Sequence, residues 1–146
     1  SVESSQFNVY RLLVNHNMSS TEFQTKVVDR MAREPRINFV IKDYFTRFPP
    51  ADPRVQLGLV RLLKDQQKQR HVKEIMSAVK IVDKSVVDEL ISLLEQASPE
   101  VRGSALTILS DLQIDDRDSQ EKFLEAAKKK GSFNKSDIDF ILNKMN

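Results

Sequence analysis

Few side chains in this sequence could do chemistry. The chain holds no Cys, so disulfides, zinc–thiolate sites and cysteine nucleophiles are excluded. Its two histidines, His16 and His71, stand 55 positions apart and lack the close spacing of paired metal ligands. His16, within Asn15-His16-Asn17, falls at an expected helix end and fits a cap or turn role. His71 follows Gln69-Arg70 near an expected helix start, where exposure is expected. Gly58, Gly103 and Gly131 are too far apart to form a phosphate-cradling loop. The acidic run Asp115-Asp116-Arg117-Asp118 lacks the spaced ligands and central glycine of a calcium loop. It reads instead as an inter-helix loop whose acids favour the start of the next helix. No catalytic residue, metal or cofactor is expected from this inventory, and the chain reads as non-enzymatic.

Binding is the chemistry left. The chain carries 23 Lys and Arg against 21 Asp and Glu, a net charge of +2, unevenly spread. Residues 1–82 hold 14 basic against 8 acidic residues, and residues 83–146 hold 9 against 13. A basic front half suits an acidic partner. Arg61, Lys64, Lys68, Arg70 and Lys73 cluster between two expected helices. The 3- and 4-residue steps from Arg61 to Lys64 to Lys68 would put these three on one helical face. They are the candidate partner-binding residues, for an acidic protein segment or for nucleic-acid phosphates; the other reading is a solvated turn. Lys128-Lys129-Lys130 fits cations at a helix C-terminus. Tyr44, Phe45 and Phe48 form the densest aromatic cluster. They read as a core stripe ending at Pro49-Pro50, or as an apolar edge where a partner docks.

The elements that must position these residues are helical. The chain has 146 residues, 40% hydrophobic and 30% charged, with only three Gly and five Pro. That composition suits one folded domain spanning 1–146 and argues against disorder and against a β-sandwich. No apolar run reaches the roughly 20 residues of a membrane helix. The first residue is Ser1, which points to a processed form or a piece of a larger protein. The absence of Cys fits a reducing, cytoplasmic setting. Apolar residues recur at helical intervals, as in Ile37, Val40, Ile41, Tyr44, Phe45 and Phe48, or Val101, Ala105, Ile108, Leu109 and Leu112. Asp52-Pro53 and Ser98-Pro99 each set a capping side chain before a proline at the first helical position. Ser19 with Glu22, Asp118 with Glu121, and Ser136 with Asp139 resemble capping boxes. The pattern predicts nine helices, over about 4–16, 20–33, 36–48, 53–66, 69–81, 84–96, 99–112, 118–130 and 136–145. Their short connections require neighbours to fold back antiparallel.

The chain also resembles itself. Residues 52–65 overlay residues 98–111 at an offset of 46, with Pro53/Pro99, Val55/Val101, Leu63/Leu109 and Asp65/Asp111 identical. Glu34-Pro35-Arg36-Ile37 opens a third helix the same way. In Val87–Leu94 followed by Ser98-Pro99-Glu100-Val101-Arg102-Gly103-Ser104-Ala105-Leu106, the sequence resembles the HEAT and armadillo-like repeat family. Gln56 and Leu59 depart from the Arg and Ala of that pattern. The resemblance implies an all-α solenoid, a right-handed superhelix of about nine stacked helices. It also implies a protein-interaction or scaffold role, with nucleic-acid binding by the basic half as the alternative. Gly58, Gly103, Ser104 and Ala105 would let helices approach closely.

Overall fold

The computed structural model describes residues 19–36, 39–112 and 114–129, with isolated positions between 135 and 143. Capping residues fix where its helices begin. Ser20 accepts from the Phe23 amide and opens α1 (Thr21–Arg33). Asp52 accepts from the Arg54 amide and, with Pro53 behind it, opens α3 (Pro53–Arg61). Asp83 opens α5 (Lys84–Leu93) by accepting from Ser85, and Asp116 opens α7 (Arg117–Lys128) by accepting from Ser119. Ser98 and Pro99 open α6 (Pro99–Ser110). Between them lie α2 (Phe39–Arg47) and α4 (Gln69–Ser77). The cap at Ser20 sits one residue after the Ser19 expected from a capping box, and the cap at Asp116 two residues before the expected Asp118.

These seven helices answer the seven middle helices expected, and no strand occurs among the described residues. The expected helix 4–16, with His16, lies outside the described residues, as do Gly131 and most of 136–145. Helix ends come earlier than periodicity suggests. The stretch expected as 53–66 leaves the α-helix at Arg61, passes through a 3₁₀ turn (Leu62–Lys64) and stops at Asp65. The Asp65 carboxylate accepts from the Gln67 amide at 2.9 Å, a local bond that competes with helix continuation.

The helices pack in two rows. Each of α1, α3, α5 and α7 lies against the next in that order, and α2, α4 and α6 form a second row beside them. Four helix-opening residues of the first row, Ser20, Asp52, Asp83 and Asp116, fall 32, 31 and 33 residues apart. Helices of the second row begin at Phe39, Gln69 and Pro99, 30 residues apart. The structural unit is therefore a helix pair of 30–33 residues. Equivalent places have equivalent burial: seven positions past each cap stand Val27, Leu59, Leu90 and Phe123, and eleven past it Met31, Leu63, Leu94 and Ala127, all core residues.

The 46-residue self-similarity is not this unit. It overlays α3 on α6, helices of opposite rows, because 46 is about one and a half units. What the two share is a way of starting, a cap followed by Pro, and the same need to bury Val55 or Val101 at the next turn.

The core runs between the rows. Val101, Ala105, Ile108 and Leu109 of α6 meet Leu90, Ile91 and Leu94 in one cluster. Tyr44 joins the rows through edge-on contacts to Phe23 of α1 at 5.4 Å and to Phe45 at 5.0 Å, and a tilted one to Phe48 at 5.5 Å. These separations suit the quadrupoles of paired rings.

Two buried glutamines hold the rows in register. Gln56, four residues past its cap, donates to the Pro50 carbonyl at 2.9 Å and to the Lys80 carbonyl at 3.2 Å. Gln24, at the same place in α1, donates to the Phe48 carbonyl at 2.9 Å. Gln120, at that place in α7, donates to the Ile114 carbonyl at 2.7 Å. Connecting loops leave backbone carbonyls without helical partners, and these amides satisfy them.

Candidate interaction surface

The structure separates the five basic candidates. Arg61 is exposed on the first row, with its Nε 3.5 Å from the Glu89 carboxylate of α5. Lys64 is exposed at the end of the 3₁₀ turn. Lys68 points inward: it is 3% exposed, and its Nζ donates to the Ala32 carbonyl at 3.0 Å beside the Asp65 carboxylate at 3.2 Å. Arg61, Lys64 and Lys68 therefore do not share one exposed face. The expected helical spacing fails because the helix breaks between Arg61 and Asp65. Lys68 instead ties the end of α1 to the loop that leads into α4.

Arg70 and Lys73 fall on the second row. Arg70 is exposed and lies 3.6 Å from the Glu74 carboxylate, and Lys73 is half-buried one turn along α4. Lys42 of α2 also pairs with Glu74 and so joins the two helices. The bond from Lys42 holds the Glu74 carboxyl below the usual range against the opposing effect of desolvation, with Arg70 and His71 adding to it. One turn before Lys42 stands Phe39, 78% exposed. Sequence reasoning missed Phe39 as a surface residue. Its signal was its place off the Val40, Ile41, Tyr44 and Phe45 stripe.

Tyr44 and Phe45 belong to the core, 3% and 2% exposed, and Phe48 is half-buried. Burial pushes the Tyr44 hydroxyl up to about 12, against a bond with Gln24 that lowers it. The apolar-edge reading of these three therefore gives way to the core reading. His71, expected exposed, is half-buried, and its Nδ1 is sealed from solvent.

The densest charge cluster lies elsewhere, between α5 and α7. Lys84 reaches Asp88 at 2.7 Å and Asp118 at 2.8 Å. Lys122 reaches the same two carboxylates at 3.1 and 3.2 Å. The Ser119 hydroxyl donates to Asp88 at 2.7 Å. Hydrogen bonds from Lys84 and then Lys122 hold Asp118 below the usual carboxylate range. Burial works to raise Asp88, but Lys84, Ser119 and Lys122 outweigh it and lower it too. Lys84 also lies 3.7 Å from Asp116, so two lysines are shared among three carboxylates and the cluster is a seam between neighbouring helices. Asp116 of the acidic run caps α7 and Asp118 joins the seam. At the other end of these helices Lys129 meets Glu95 at 2.8 Å.

A shallow cleft of about 340 Å³ lies between α1 and α3, lined by Thr21, Glu22, Thr25, Lys26 and Arg54. Among the described residues no cluster of His, Cys, Asp and Glu could hold a metal ion, and no helix is long and apolar enough to cross a membrane. In comparisons with known proteins, no family model, curated protein or solved structure matches this chain.

Proposed function

We propose that the chain is a non-catalytic, HEAT-like α-solenoid module, a right-handed superhelix that recognises a partner protein through the outer face of its second row. The observation that supports this most is the two-row stack with its 30–33-residue unit. Stacked units bury one continuous seam and leave the outer face of each row free for recognition. The nucleic-acid alternative has less support, because acidic Glu74 and Asp43 interrupt the cations of α2 and α4. The test is capture from a native extract by the intact chain, with and without nuclease, beside the Arg70→Glu/Lys73→Glu variant. Proteins retained after nuclease treatment and lost with the variant bear the reading out. Material lost entirely to nuclease overturns it in favour of nucleic acid.

A further inference from the structure

The second row presents an unusual pairing at its first two helices: an exposed aromatic ring beside cations. The Lys42–Glu74 ion pair links α2 to α4. Phe39 is three residues before Lys42, and Arg70 is four before Glu74, so both stand one turn earlier on neighbouring helices. Packed helix axes lie about 8–10 Å apart, which puts the two side chains within reach of one bound segment. Lys73 continues the face one turn beyond Arg70. Phe39 and Val82 are the exposed large apolar residues among the described residues. Val82 lies in the loop before α5, whereas Phe39 opens a helix beside Arg70.

We propose that the starts of α2 and α4 form a docking site for an acidic protein segment carrying one apolar anchor, which packs on Phe39 while its carboxylates meet Arg70 and Lys73. The inference rests on the protein-interaction reading above. Charge complementarity selects an acidic occupant. An aromatic ring on a surface is a natural anchor point, since few residues carry most of an interface's binding energy. A phosphate backbone fits less well, because it repeats its charge along the strand while Glu74 interrupts the cations here, whereas a peptide can place its carboxylates on Arg70 and Lys73 and none on Glu74. Arg70 and Lys73 mainly speed encounter, and the anchor sets how long the complex lasts.

The test uses the full chain and a fluorescein-labelled peptide of Glu and Ser with one central Leu, followed by anisotropy. Its partners are the same peptide with Ser for Leu, and a thymidine oligonucleotide of similar length. The Leu peptide is expected to bind roughly fivefold tighter than the Ser peptide, and Phe39→Ser to erase that difference. Arg70→Glu/Lys73→Glu should abolish binding of both, whereas Lys26→Glu/Lys128→Glu, the same charge change elsewhere, should leave them. Far-UV spectra and melting confirm that each variant folds. Equal binding of the two peptides, no effect of Phe39→Ser, or no peptide binding overturns the docking site. Acidic-peptide binding that persists without an anchor effect leaves the interaction reading standing. An oligonucleotide that binds more tightly than both peptides and is lost with Arg70→Glu/Lys73→Glu overturns both.

Discussion

Gln24 and Gln56 do the same work one helix pair apart: each buried amide donates to a carbonyl 24 residues further along, that of Phe48 and that of Lys80. The same bond thus recurs in the first two helix pairs, whereas Val87 holds the equivalent place in α5. Gln56→Ala leaves the Pro50 and Lys80 carbonyls without their donor, and the expected loss is about 1–3 kcal/mol of stability. Gln24→Ala should cost a similar amount. Urea unfolding measures both, and an unchanged midpoint for either would contradict the role.

Two glycines predict opposite outcomes. A methyl group on Gly58 would stand 2.8 Å from Val28 Cγ1, whereas one on Gly103 meets nothing within 4 Å. Gly103→Ala should therefore gain up to ~1 kcal/mol from helix propensity. Gly58→Ala should lose that gain to the clash in α1, and recover it in a Val28→Ala background. Melting of the four proteins decides it. An equal gain at both glycines would contradict the close α1–α3 crossing.

The buried Lys68 predicts a split among the basic residues. Lys68→Met removes a charged hydrogen bond to Ala32 and should cost about 1–3 kcal/mol. Lys64→Ala and Arg70→Ala, at exposed positions, should each stay within ~0.5 kcal/mol. Equal effects in denaturant melts would place Lys68 on the surface.

Acid should loosen the seam between α5 and α7. Asp88 and Asp118 are lowered in the folded chain, so their contribution is complete above the ordinary carboxylate value near ~4 and is lost as pH falls below it. Lys84 is raised, first by Asp118, so its share persists below the ordinary lysine value of ~10.4. The melting temperature of the wild type should thus exceed that of Lys84→Met/Lys122→Met at pH 7, with the gap narrowing towards pH 3. A gap independent of pH would show that the pairs add nothing.

Legibility in the sequence followed the range of each interaction. Caps and stripes are local, so Asp52, Ser98 and the buried faces of α3 and α6 could be read directly. Leu94→Ala and Leu109→Ala should accordingly cost ~2–5 kcal/mol each, since both are fully buried. The unit length was not read, because rows join helices that are not consecutive, and the caps alone match α3 to α6. Gln24, Gln56 and Gln120, spaced 32 and 64 apart, carried the correct period. The shared face expected of Arg61, Lys64 and Lys68 does not form, for another reason. Extending helical spacing from Arg61 to Lys68 ignored the break at Asp65, whose carboxylate closes a turn on Gln67.

The two-row stack is tested most directly by distances between spin labels, which a chain without native Cys allows cleanly. Asp29, Ser92 and Glu125 are exposed and each lies nine residues past its cap, on the first, third and fourth helices of one row. With each helix adding about 8–10 Å, Asp29→Cys/Ser92→Cys should report roughly 20 Å and Asp29→Cys/Glu125→Cys roughly 30 Å. A distance from position 29 to 125 no longer than that from 29 to 92 would contradict the stack.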